Sequence, residues 1–157
     1  MSQSPLTFDW PDADATAHSA VALGAQLRPG DTVLMSGPVG AGKTHFARAL
    51  IQSLLDTHED VPSPTFTLIQ TYDTRHGPLW HADLYRISTD TEIDELGLVG
   101  AFEDAICLVE WPDRLGSLAP ADALLIDISY RDDGRVAQWE WTAPKWNTRL
   151  AGVLQHA

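Results

Sequence analysis

Lysine is scarce in this chain. The ten basic residues are eight arginines and two lysines, against 22 acidic residues, and the formal charge is −12. A surface of that sign repels phosphate backbones at long range, which excludes a direct, tight grip on nucleic acid. The single cysteine, Cys107, excludes an internal disulfide, and its apolar neighbours mark it as a small core residue. No run approaches the roughly 20 apolar residues of a helical membrane span. Met1-Ser2-Gln3-Ser4-Pro5 lacks the basic and apolar regions of a signal peptide, so the expected compartment is the cytoplasm. What remains is a chain that is 44% hydrophobic, long enough for one domain over residues 1–157 with its own core.

One of the two lysines stands in a motif. Residues Gly37-Pro38-Val39-Gly40-Ala41-Gly42-Lys43-Thr44 form a complete G-x-x-x-x-G-K-[ST] phosphate-binding loop. Such a match arises by chance on the order of once in a thousand chains of this composition. Its context is also right. Thr32-Val33-Leu34-Met35 reads as a buried strand, and His45 to Leu55 has helical period. The glycines let backbone N–H groups close around an anion, and the helix N-terminus adds about half a positive charge. Lys43 is expected on the β- and γ-phosphates, and the Thr44 hydroxyl on Mg²⁺. His45, next along, completes the predicted nucleotide contacts.

The rest of the chain reads as α/β. Asp12 or Asp14 caps a first helix carrying Ala17, Ala20, Val21 and Leu27, and Arg28-Pro29-Gly30-Asp31 ends it. Phe66 to Tyr72 and Leu79 to Leu84 are predicted strands of a hairpin turning at 73–78. Ser88 to Leu96, Leu98 to Asp104 and Asp113 to Leu118 read as short helices. Ile106 to Val109 is apolar throughout, as in a strand buried on both faces of a parallel sheet. Leu124 to Tyr130 and Val136 to Trp141 read as strands, and Asn147 to Gln155 as a weak helix. The expected fold is a P-loop NTPase-like three-layer domain, its central sheet mostly parallel with antiparallel hairpin additions.

A phosphate loop needs an acid on the metal side and a group that orients water. Asp83, in His81-Ala82-Asp83-Leu84-Tyr85-Arg86, and Glu110, in Leu108-Val109-Glu110-Trp111, both follow strands. The wholly apolar run before Glu110 belongs next to the loop strand, so Glu110 is assigned to the metal side. Asp83, on an outer strand, orients water or metal. Val61-Pro62-Ser63-Pro64-Thr65 is stiffened by prolines, and Thr65 is placed to sense a γ-phosphate as switch loops do. His81 is a candidate for proton transfer, and Trp111 for stacking or packing beside the site. The residues thus point to Mg-dependent nucleotide binding, with Lys43, Thr65, Asp83 and Glu110 as the catalytic group and Thr44, Glu110 and Asp83 around the metal.

The ordered set GPVGAGKT, SPTFTLIQTY, HADLYR, TEIDELGL and LVEW, across about residues 32 to 115, resembles the TsaE family, formerly YjeE, of small bacterial P-loop ATPases. The resemblance implies ATP as the nucleotide, and no Asn-Lys-x-Asp guanine-reading motif speaks against it. It implies a role in forming N6-threonylcarbamoyladenosine at position 37 of tRNA, with TsaB and TsaD as protein partners. It also implies that ATP hydrolysis supports repeated turnover by TsaD. Tyr85 and Arg86 match the family pattern without a chemical role that the sequence supplies. Two other readings compete: a small P-loop metabolite kinase, which needs an arginine-bearing lid, and a nucleotide-dependent switch without catalysis.

Overall fold

The computed structural model describes residues 4–57, 59–65 and 67–156. Seven strands form one sheet in the order β1-β7-β6-β2-β5-β4-β3. They are β1 (Leu6–Trp10), β2 (Thr32–Ser36), β3 (Ile69–Thr74), β4 (Gly77–Asp83), β5 (Ile106–Glu110), β6 (Leu124–Arg131) and β7 (Gly134–Glu140). The four central strands, β6-β2-β5-β4, run parallel. The flanking pairs β3–β4, β6–β7 and β1–β7 are antiparallel. The helices are α1 (Ala13–Gly24), α2 (Lys43–Leu54), α3 (Asp90–Leu96), α4 (Leu98–Asp104) and α5 (Lys145–His156), with a 3-10 segment at Pro112–Leu118. This is the expected α/β architecture with its hairpin additions.

Alternation explains why β2 and β5 carry no polar stripe. Val33, Met35, Ile106 and Leu108 enter the core shared with Phe46, Leu50 and Trp146 from the helices of one face. Leu34, Cys107 and Val109 enter the core shared with Ile93, Leu98 and Phe102 on the other. A strand with cores on both sides must be apolar at every position. Burial also pushes the Cys107 thiol up to about 12, in keeping with an inert core residue. In β6, by contrast, Leu124, Ile126 and Ile128 are buried while Leu125 is exposed, so only one face is covered.

Several boundaries differ from the sequence reading. Of the two candidate caps, Asp12 is the one used: its carboxylate accepts from the Ala15 N–H at 2.8 Å. The helix stops at Gly24; Val21 is 45% exposed on its outer side, and Leu27 is buried from the turn that follows. Phe66, the expected start of a strand, lies outside the described residues. The strand itself begins at Ile69, because Leu68 adopts a left-handed backbone with φ 68°. β1 was not foreseen. Its stability comes from pairing with β7, more than 120 residues away along the chain (Leu6 opposite Trp139), rather than from any local pattern.

Two anchors hold the frame. Arg75, in the β3–β4 turn, bonds the carbonyl ends of α2, with its backbone N–H 3.0 Å from the Leu54 oxygen and its guanidinium on the Ser53 carbonyl. A cation there complements the negative end of the helix dipole. Asp31, ahead of β2, accepts from Arg149 Nε at 2.7 Å and Lys145 Nζ at 3.0 Å, both on α5. Its carboxylate is 2% exposed, whereas the two cations are 24% and 27% exposed. Breaking a fully buried pair costs about 3–5 kcal/mol. With partners that can reach water, Asp31→Ala should cost less, about 2 kcal/mol, read as a lower urea midpoint with unchanged m-value. A midpoint equal to that of the parent chain would show that α5 does not depend on this carboxylate.

Candidate functional site

The phosphate loop joins the end of β2 to α2 on the side where the parallel strands present their C-terminal ends. Gly37, Gly40 and Gly42 have φ of 143°, 80° and 107°, values that side chains other than glycine rarely adopt. Gly37 has a second constraint, since a Cβ there would lie 2.3 Å from the Ile128 carbonyl oxygen. Gly37→Ala should therefore force the loop off β6. The expected cost is about 1–3 kcal/mol, seen as a lower melting temperature together with weaker nucleotide binding. A melting curve that did not move would contradict this account of the contact.

Gly42 stands at the cap of α2 and brings no side chain to it. The first N–H groups of a helix have no intrahelical acceptors, so they are placed for an anion. The loop is braced from behind. The Tyr130 hydroxyl donates to the Val39 carbonyl at 2.8 Å. Arg135 donates to the Ala41 and Gly40 carbonyls at 3.2 and 3.3 Å, with its guanidinium 4.3 Å from the Tyr130 ring centre. These bonds engage the carbonyls of Val39, Gly40 and Ala41 and leave the loop N–H groups out of the brace. In the sequence Arg135 falls between two predicted strands, and Tyr130 ends the first of them. No local motif marks them; only the folding of β6 and β7 against the loop does.

A cavity of about 410 Å³ opens in front of the loop, lined by Val39, Gly40, Gly42, Lys43, Thr44, His45, Thr65, Asp83, Tyr85, Glu110 and Trp111. The expected site residues are thus brought together, with three exceptions. Gly37 and Pro38 lie behind, where their carbonyls accept from the Lys43 ammonium. Ala41 is buried and lines a second recess of about 290 Å³, which shares Gly40, Gly42 and His45 with the first and adds Asp12, Thr16 and Arg135. His45 turns its Nε2 to the Ala13 carbonyl at 3.0 Å.

The two acids are direct neighbours across the sheet: in the parallel ladder of β4 and β5, Asp83 pairs with Glu110. Each is nonetheless held differently. Glu110 receives the Thr44 hydroxyl at 2.8 Å on Oε1 and 3.1 Å on Oε2, and His81 Nε2 lies 2.7 Å from Oε2. Asp83 accepts from the Thr65 hydroxyl at 3.1 Å and from the Tyr85 backbone N–H at 3.0 Å. So Thr65, in the loop ahead of β3, is tied to Asp83, while the loop hydroxyl of Thr44 is tied to Glu110.

Lys43 lies among them. Desolvation lowers its ammonium below the ordinary lysine value, and the charges of Glu110, Asp83 and Asp127 act in the opposite direction. Its Nζ is also 4.4 Å from the Trp111 ring centre, within cation–π range. Trp111 holds a left-handed backbone, φ 60° and ψ 54°, which is strained for a bulky residue at a cost of order 1–3 kcal/mol. That conformation follows directly on Glu110 and turns the indole over Lys43, against the Tyr85 ring at 4.8 Å. Trp111 therefore belongs to the wall of the site, and Tyr85 gains the role that the sequence did not supply, as its aromatic support.

Comparison with known proteins identifies the family. A family model described as threonylcarbamoyl adenosine biosynthesis protein TsaE matches residues 10–137. A Rickettsia bellii protein named tRNA threonylcarbamoyladenosine biosynthesis protein TsaE is 37% identical over 122 residues, 78% of this chain and 85% of that one. The Mycobacterium tuberculosis protein of the same name is 36% identical over 147 residues, 86% of either chain. A solved structure described as "Bacillus subtilus YdiB" superposes with a TM-score of 0.81 at 27% identity, covering 99% of this chain and 98% of the other. With the family model spanning most of its length and relatives above one-third identity, the chain belongs to the TsaE family.

Proposed function

We propose that this protein binds ATP with Mg²⁺ and hydrolyses it slowly in the cytoplasm, in support of threonylcarbamoyladenosine formation on tRNA. The observation that carries the reading is the pairing of Asp83 and Glu110 at the ends of β4 and β5, facing the phosphate loop and Lys43. Among the described residues, no three His, Cys, Asp or Glu side chains converge on one point. Mg²⁺ does not need such a cage, since it usually keeps waters and takes one or two protein ligands plus substrate phosphates. Thr44 with Glu110 fits that donor set, with Asp83 nearby.

When bound, Mg²⁺ supplies positive charge to the β- and γ-phosphate oxygens. The chain's own groups do the rest. The N–H groups at the start of α2 hold the phosphates. Lys43 exchanges the Gly37 and Pro38 carbonyls for phosphate oxygens. Glu110 orients the Thr44 hydroxyl on the metal side. Asp83 accepts a hydrogen bond from the attacking water and aims it in line with the leaving oxygen. Thr65, bonded to Asp83, senses whether a γ-phosphate is present. The second recess, which continues from the loop past Arg135, takes the base and ribose.

A kinase lid is the feature that a metabolite kinase would need. The two arginines of the β6–β7 hairpin are committed elsewhere: Arg131 to Asp9 at 2.8 Å, and Arg135 to loop carbonyls. The hydrolase reading is therefore preferred over the kinase. Among the described residues no arginine lines the cavity in front of the loop, so slow turnover is expected without an arginine finger, a group worth about 10³–10⁵ in related chemistry. TsaB- and TsaD-type proteins are the proposed partners, and they supply the missing group or order the Thr65 segment. A net charge of −12 leaves little affinity for tRNA by the chain itself, so its influence passes through those partners. Phosphate release measured with and without the partner proteins tests the proposal. Stimulation by partners is expected; full-rate hydrolysis by the chain alone, or none in their presence, would reject it.

A further inference from the structure

His81 is 0% exposed and lies on β4 two residues before Asp83, on the same strand face. It does not touch the cavity. Its register partner on β5 is Leu108, so Glu110 lies diagonally ahead of it on that face. Nε2 meets Glu110 Oε2 at 2.7 Å, and Nδ1 is buried without a hydrogen-bond partner among the described residues. The same carboxylate receives Thr44 on its other side. Three residues therefore form a line from the phosphate loop to the core: Thr44, Glu110, His81.

The chemistry of the two ring nitrogens assigns the tautomer. A carboxylate accepts only, so Nε2 carries the hydrogen. Among the described residues Nδ1 has no partner opposite it, so a hydrogen there would be unmet. A proton passed to this ring finds no onward acceptor at Nδ1 among the described residues. This argues against the proton-transfer role that the sequence allowed.

We propose that His81 is a positioning residue: it clamps the Glu110 carboxylate so that both oxygens stay turned to the Thr44 hydroxyl, and thereby sets the affinity of the site for Mg²⁺. The inference rests on the Mg²⁺–ATP reading above. Glu110 is attached through three flexible torsions, and a single hydroxyl from Thr44 does not fix its plane. His81 supplies the second fixed point from a rigid strand. Groups that orient ligands in this way typically govern metal affinity or activity by about 10- to 100-fold.

The test uses the full chain with a fluorescent ATP analogue, its binding followed across Mg²⁺ concentrations, alongside thermal unfolding. His81→Phe keeps a ring of similar volume and removes the donor. It should raise the Mg²⁺ concentration for half-maximal binding by about tenfold or more. His81→Gln restores an N–H near the Nε2 position and should return the midpoint to within about threefold of the parent, an expectation from the same principle. Nitrogen-15 spectra of the parent chain should show hydrogen on Nε2 of His81, with no nucleotide needed. An unshifted midpoint in a folded His81→Phe would overturn the proposal, as would an equal shift in both variants or an Nδ1–H tautomer. Should His81→Phe fail to fold, His81→Asn replaces it, since its amide is too short to reach Glu110; the same shift against His81→Gln is then required. A parent chain whose ATP binding ignores Mg²⁺ while His81 shows Nε2–H would bring down the proposed function itself, and this inference with it.

Discussion

Lys43→Ala should lower ATP hydrolysis by about 100- to 1,000-fold, the range seen when one preorganised group facing developing charge is removed. The side chain is buried to 4% exposure, yet little of the fold leans on its charge. Its ammonium bonds only loop carbonyls, those of Gly37 and Pro38, and otherwise faces the Trp111 ring. Removing it relieves a desolvated cation and takes its positive charge away from Glu110, Asp83 and Asp127. These effects oppose each other, so the melting temperature should stay close to that of the parent chain. Phosphate release and calorimetry on one preparation check both halves. Parent-level hydrolysis by the variant would remove the phosphate loop from the mechanism.

Glu110→Gln and Asp83→Asn should each reduce turnover by about 100-fold, by the same measure of lost electrostatic stabilisation, but through different parameters. In Glu110→Gln the one remaining acceptor can stay on His81 Nε2, so the amide NH₂ faces Thr44, whose hydroxyl must turn from donor to acceptor, and the negative charge that would draw the metal is gone. The expected signature is a higher Mg²⁺ requirement. In Asp83→Asn the hydrogen bond from Thr65 or that from the Tyr85 N–H can persist on the remaining oxygen. Nucleotide should still bind with ordinary Mg²⁺ dependence, and only the chemical step should slow. Mg²⁺ titrations of binding and of turnover separate the two. If the Asp83 variant alone shifts the Mg²⁺ midpoint, the roles are the reverse of those proposed.

Much of this site is legible in the order of residues because its parts are local. A phosphate loop is a contiguous stretch, and strand-end acids follow apolar runs that announce their depth in the sheet. The position of Glu110 beside β2, and of Asp83 one strand further out, follows from the unbroken apolar character of Ile106 to Val109 against the half-exposed hairpin before Asp83. What stays hidden is non-local. The brace of Tyr130 and Arg135 on the loop bridges more than 90 residues. β1 exists by pairing with the far end of the chain. The tie of Asp31 to α5 joins residues with no shared motif. The left-handed turns at Leu68 and Trp111 are likewise invisible, since neither residue type favours that conformation and only the surroundings impose it.

The ladder that sets Asp83 opposite Glu110 also divides the chain into parts that tolerate changes of length and parts that do not. Between the two acids lie α3 and α4, yet their separation is fixed by neighbouring backbones, not by the intervening segment. Residues gained or lost in the connections around α3 leave the carboxylates where they are. One residue inserted within Leu79–Asp83 or Ile106–Glu110 does the opposite. Strand side chains alternate faces, so the acid beyond the insertion would turn to the far side of the sheet, away from Lys43. Natural variation in length should therefore gather beyond Tyr85, in the connections on either side of α3, and the two strands should be of constant length in every working relative.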